Sequence, residues 1–117
     1  MSQPLPLDTV LSEFSETSQA WVLQSKRQRT YLIVPDDRFP GRRPVRFFMS
    51  REDADRLLAE VLKVKPSLAR EQIAPVSVKL LQALRAIAAD TTPDHADSFV
   101  VHSPNEVFEF LQHRQPT

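Results

Sequence analysis

A single glycine against ten prolines, in 117 residues, decides what kind of connections this chain can make. Proline presets φ and gives up a backbone donor, whereas glycine supplies the positive-φ conformations that hinges and tight loops use. The loops are therefore stiff, and a lid swinging on glycine is not expected. The same scarcity removes whole classes of site. Neither GxxxxGK[ST], GxGxxG nor GxSxG can be written with Gly41 alone. The chain also has no cysteine, so disulfides, thiol chemistry and Cys-ligated zinc are excluded.

Between the prolines lie short segments of legible type. Hydrophobic residues make up 41% and charged ones 26%, enough apolar material for one core in one domain. Residues 1–19 read as a tail or short amphipathic helix, with Leu7, Val10, Leu11 and Phe14 on one side and Asp8 as its cap. The body is expected over 20–113. Segments 20–25 (AWVLQS) and 30–34 (TYLIV) have strand composition, with a polar turn at 26–29 between them. Turn chemistry fills 35–44, and a third strand is expected over 45–49 (VRFFM). Ser50 and Asp53 resemble a capping box, opening a helix whose stripe is Ala54, Leu57, Leu58, Val61 and Leu62. A short strand at 73–76 precedes a helix capped by Ser77, with Leu80, Leu81, Leu84, Ile87 and Ala88 along one face. A strand at 98–101 is followed by Ser103, Pro104 and Glu106, which together announce a last helix carrying Val107, Phe108, Phe110 and Leu111. The expected fold is α+β: a single mixed β-sheet with helices packed on it, in the order (α)βββαβαβα.

Three stretches, FFMSREDADRLLAEVLK, IAPVSVKLLQAL and SFVVHSPNEVFEFL, resemble the Tic22-like family of chaperone-like proteins. There a strand ending in two Phe runs into a helix opened by Ser/Lys-x-x-Asp-Ala, a "VxPVSL" strand feeds a helix, and an "F-x-x-x-P" strand precedes a final helix. The matching positions are 47–63, 73–84 and 99–111. These are packing and capping motifs. The family carries a leader and two similar lobes, whereas this chain shows no leader and has residues for about one lobe. The resemblance implies a one-lobed relative that binds extended or partly folded polypeptide through an apolar surface, and it carries over no catalytic residue. Two copies paired about a two-fold axis, a homodimer, would supply the second lobe.

A search for chemistry returns little. His95, His102 and His113 lack zinc spacing. The run 90–97 gathers three carboxylates and His95, yet Asp, Thr and Pro are also what turns are made of, and the turn is the simpler reading. Ser50, Ser77 and Ser103 all read as caps, and the i, i+3 pairs Glu52/Asp55 and Glu106/Glu109 as wet helix faces. No cofactor and no metal are expected. An enzyme would need a deep pocket collecting Asp94, His95 and His102.

Charge says more. The fifteen basic and fifteen acidic residues cancel, but 26–46 holds seven basic residues and two acids, net +5, leaving net −5 elsewhere. Five of the six arginines there, Arg27, Arg29, Arg42, Arg43 and Arg46, suit carboxylates or phosphates, although arginine on edges and turns also simply keeps sheets apart. Arg46 alternates with Val45 and Phe47 and so points to the other face of the sheet. Phe47 and Phe48 likewise face opposite sides. Helices over both faces would make both rings core; a bare face would be a binding groove or a homodimer interface. The leading expectation is a non-enzymatic protein-interaction domain. It would be chaperone-like and grip polypeptide through an apolar face bearing Phe47 and Phe48, rimmed by those arginines. The alternative is nucleic-acid or polyanion binding by 26–46. No segment approaches the length of a membrane span, and the chain is expected to be soluble, unprocessed and cytoplasmic.

Overall fold

The computed structural model describes residues 6–34, 41–90, 92 and 95–102, together with the backbone of 107–111. Helix α1 (Leu7–Ser12) precedes strands β1 (Gln19–Ser25), β2 (Thr30–Tyr31) and β3 (Pro44–Phe48). Helix α2 (Arg51–Val64) and a 3-10 helix (Pro66–Glu71) lead to β4 (Ile73–Lys79). Helix α3 (Leu80–Ala89), β5 (Ser98–His102) and β6 (Val107–Leu111) follow. The α+β class and the single mixed sheet are as expected; the last element is not.

Strand β1 organises the sheet. One edge pairs antiparallel with β4 over all seven residues. Its other edge is shared, with Trp21 and Val22 opposite Phe48 and Phe47 of β3, and Gln24 and Ser25 opposite Tyr31 and Thr30 of β2. Ile33, just past β2, bridges to Val45 and closes the fork. Strand β3 then pairs parallel with β5, and β5 antiparallel with β6. The parallel pair needs a long crossover, which α2, β4 and α3 provide.

Two cores follow from the period of two along the strands. On one face Ala20, Val22, Val45, Phe47, Phe99 and Val101 pack with Val10 of α1 and Leu80, Leu84 and Ile87 of α3. On the other, Leu23 and Phe48 pack with Ala54, Leu57 and Leu58 of α2. The expected stripes of α1, α2 and α3 are thus the faces that meet the sheet.

The caps differ from expectation. Ser50 sits at the N-cap of α2 in extended conformation, but its hydroxyl makes no capping bond. Ser77 lies within β4, which runs on to Lys79, so α3 starts without a side-chain cap. Helix α1 is entered from Pro6, which leaves Asp8 inside the first turn. The strand expected over 30–34 is only two residues long, because the chain peels from β1 toward β3 after Leu32.

The expected final helix is strand β6 instead, while Ser103 and Glu106 lie outside the described residues. Local start signals lose to tertiary demand here. The run VFEFL is β-branched and aromatic, poor for helix and good for strand. The outer edge of β5 offers a row of backbone groups that β6 pairs in five registers.

The opposite edge, β4, has its own character. Lys26 N–H donates to Gln72 O (3.2 Å) and Leu80 N–H to Ser18 O (3.0 Å), extending the β1–β4 ladder at both ends. The even-numbered residues of β4 therefore bond β1. Ile73, Pro75, Ser77 and Lys79 turn their backbone groups outward. Pro75, which has no N–H to give, stands on that outward side, and among the described residues β4 pairs with β1 alone.

Phe47 is fully buried at the centre of the larger core. Phe47→Ala should cost about 3–5 kcal/mol, read as a lowered midpoint in urea unfolding with an unchanged slope.

Candidate functional site

The aromatic pair singled out in the sequence is interior. Phe47 has no exposed surface and Phe48 only 7%. Phe47 meets Tyr31 edge to face, with centroids 6.1 Å apart, while Phe48 stacks on His102 at 4.8 Å beneath α2. Helices cover both rings, so neither one forms a bare apolar face.

The five arginines do not form one rim. Arg27 and Arg29 are exposed in the β1–β2 turn, and Arg42 is exposed before β3. Arg43 is engaged in structure. Its backbone N–H donates to Asp97 Oδ1 (2.8 Å), its Nε–H donates to His95 O (3.0 Å), and Asp97 N–H returns a bond to Arg43 O. Asp97, nearly buried, also accepts from Ser98 Oγ (3.1 Å), and the whole clamp ties the approach to β3 to the start of β5. Arg46 is half-buried and points to the α2 side with Phe48, as the alternation requires.

Two concavities lie on opposite faces of the sheet. The smaller, about 330 Å³, lies beside α2 and is lined by Arg46, Phe48, Asp53, Arg56, Leu57, Glu60 and His102. Arg56 there is held by Asp53 (3.3 Å) and Glu52 (3.7 Å) along its own helix. The larger, about 520 Å³, opens between β2, β3 and the end of α3. Its floor is apolar (Tyr31, Ile33, Val45, Ala86, Ile87 and Ala96), and its rim is polar (Gln24, Gln28, Arg29, Thr30, Asp90 and His95). His95 and His102 thus fall in different clefts, and Asp94 lies outside the described residues. The three residues an enzyme was expected to gather are not brought to one place.

The rim of the larger cleft is built rigidly. Asp90 follows α3 and accepts from Thr92 N–H (2.9 Å) and from His95 Nδ1–H (2.7 Å). An ionised carboxylate only accepts, so Nδ1 carries the proton. The Thr92 N–H and then the His95 ring hold the Asp90 carboxyl down at about 2. Asp90, Thr92 and His95, the described residues at the start of the run 90–97, are thus joined to one another by hydrogen bonds. Among the described residues, no group of three or more His, Asp or Glu is disposed to hold a metal ion. Burial pushes the Tyr31 phenol above its ordinary range, which keeps it protonated as a donor at the cleft wall.

Arg29 stands out on that rim. Its φ is +58°, left-handed backbone that side chains rarely adopt, and its N–H closes the turn onto Ser25 O at 2.7 Å. The turn is also held from outside. Ser25 Oγ–H donates to Glu71 O (3.0 Å) and Gln28 Nε2–H to Glu71 Oε2 (3.1 Å), locking it to the 3-10 helix. The left-handed arginine is thus held in place by its own turn and by the 3-10 helix, on the rim of the cleft.

The cleft residues Ile33, Ala86 and Ile87 were not singled out as a site from the sequence, whereas Arg29, in the basic segment, and Asp90 and His95, in the run 90–97, were. Comparison with protein-family models and with curated proteins finds no match for this chain.

Two outcomes follow. Arg29→Gly should stabilise the fold by about 0.5–1 kcal/mol in urea unfolding, since glycine takes this conformation freely. Asp90 titrates lower in the folded state than its ordinary 3.8, so its contribution is whole above that range and fades as pH falls toward about 2. Asp90→Asn should flatten this part of the acid limb. The share carried by Glu16, which is also lowered by its bidentate bond to Arg85, should persist.

Proposed function

We propose that this chain is a non-enzymatic protein-interaction domain, chaperone-like in holding an apolar side chain of an extended polypeptide in the cleft between β2 and α3. The observation that carries the reading is the composition of that cleft: an apolar floor under an exposed polar rim, within about 520 Å³. Burial of one large apolar side chain there is worth about 1.5–3 kcal/mol. Gln24, Gln28 and Arg29 on the rim supply donors for the main chain on either side. Because the rim residues Gln28, Arg29, Thr30 and His95 are exposed, a ligand in the cleft keeps a face to solvent. That suits a side chain on a longer chain better than a small molecule, which binds best when nearly enclosed.

The resemblance to the Tic22-like family implies the same class of activity, but no family model matches the chain, Phe47, Phe48, Ala54 and Phe99 of its motifs are core residues, and its final helix is strand β6 here. The alternative, a polyanion bound by 26–46, has less support, since Arg43 is committed to Asp97 and Arg46 lies under α2. No helix among the described residues is long and apolar enough to cross a membrane.

Ala86 lines the cleft yet is exposed on α3, so it can be enlarged without touching the core. Ala86→Arg should weaken capture of reduced, carboxymethylated α-lactalbumin, a permanently unfolded chain, by about tenfold or more, with the circular dichroism spectrum unchanged. Undiminished capture by a folded Ala86→Arg protein would remove the cleft from the mechanism.

A further inference from the structure

The sequence concentrates basic residues in 26–46, but the fold gathers a different set of them at one end of the sheet. Strand β1 runs from Gln19 to Ser25, β4 returns from Ile73 to Lys79 antiparallel to it, and α2 finishes at the end where β4 begins. The turn after β1, the last turn of α2 and the 3-10 helix therefore meet at one end of the sheet. Hydrogen bonds fix this meeting. Lys26 N–H donates to Gln72 O, Arg27 N–H to Glu71 O, and Ser25 Oγ–H to the same Glu71 carbonyl. The 3-10 helix has six residues and rises about 2 Å per residue, so its two ends lie within roughly 12 Å of each other.

That end carries Lys26, Arg27, Arg29, Lys63, Lys65 and Arg70, every one of them exposed. Glu71 stands among them, with Gln28 on its carboxylate. The other end, where β1 begins and α2 starts, is nearly balanced: Glu16, Glu52, Asp53 and Asp55 are ion-paired with Arg85, Arg56 and Arg51, and Glu13 and Lys79 lie there too. Three of the six bases come from outside the basic stretch of the sequence, so the basic pole is a product of the fold. Two features of the pole select a partner. Val64 lies between Lys63 and Lys65 and is 87% exposed, the one large exposed hydrophobic among the described residues. It sets one apolar contact among the bases, which a peptide side chain can use and a phosphate cannot. The second is Arg29, which belongs both to the pole and to the rim of the larger cleft.

We infer that the polypeptide held by the cleft is an acidic one, its apolar anchor entering between β2 and α3 while its carboxylates lie along the pole from Arg29 to Lys65. The inference rests on the cleft reading above and adds the chemistry of the partner to it. Charge complementarity of this kind sets partner choice and association rate, and it is screened by salt.

The test uses fluorescence anisotropy with four labelled probes. The first is a short peptide with a Leu-Phe anchor flanked by Asp and Glu. The second carries the same anchor flanked by Gln, and the third keeps the acids but replaces the anchor by Ser. The fourth is an oligothymidylate. At low salt the acidic anchored peptide should bind about tenfold tighter than its Gln counterpart, and the advantage should vanish in about 0.3 M NaCl. The exposed triple variant Arg27→Glu/Lys65→Glu/Arg70→Glu should lose the same tenfold while binding the Gln peptide as before. Ala86→Arg should weaken both anchored peptides. Equal affinity for the two anchored peptides in the unaltered protein, at any salt, overturns the acidic preference and leaves the cleft reading standing. Binding of the anchorless acidic peptide as tightly as the anchored one overturns the cleft reading instead. Tighter binding of the oligothymidylate than of the acidic peptide, lost in the triple variant, assigns the pole to nucleic acid and overturns the inference. Salt dependence in the unaltered protein decides the matter even if the triple variant fails to fold.

Discussion

Hydrogen bonding on both edges of β1 is the constraint from which the rest of the molecule follows. On one side β4 takes the whole strand; on the other β3 and β2 divide it between them. A strand saturated this way fixes its register, and a slip by one residue would send Val22 to the face of Leu23 and empty both cores at once. The fork between β2 and β3 is also what makes the larger cleft. The chain leaves β1 after Leu32, whose N–H still donates to Leu23 O, and crosses to Val45 at Ile33, so Tyr31, Ile33 and Val45 line a cleft that α3 covers only in part.

The elements carried by periodic apolar patterns were legible in the sequence. Leu7, Val10, Leu11 and Phe14 do pack in one core, as do Leu80, Leu84 and Ile87, because their spacing puts them on one helical face, while Leu81 is buried outside that cluster. Patterns that depend on a single hydroxyl were less dependable. Ser50 occupies a cap position without capping, and Ser77 is absorbed by a strand whose ladder with β1 runs three residues further than its composition suggests. At 107–111 a strong start signal yields to an unpaired neighbouring edge, a demand that no local window contains.

The candidate site was legible only in fragments. Arg29 could be seen as a basic turn residue, but its partners on the cleft wall lie more than fifty residues away on α3, and nothing in the spacing of Ala86 and Ile87 marks them out. The aromatic pair misleads for a related reason. Adjacent rings on one strand need cover on both faces, and this chain has α2 on one side and α1 and α3 on the other to give it. The basic stretch was read as one surface because it is continuous in sequence. Folding breaks it, engaging Arg43 with Asp97 and turning Arg46 under α2, and it recruits Lys63, Lys65 and Arg70 in their place.

The proline at position 75 has a consequence for concentrated solutions. A sheet with an open margin invites the same margin of a neighbouring molecule, and stacking of this sort is the first step toward fibrous deposits. Here the run of outward amides is broken two residues from Ile73, and the ammonium of Lys79 sits near its far end. Strand addition along this border is interrupted where the proline ring stands, because position 75 has no N–H to give to an incoming strand.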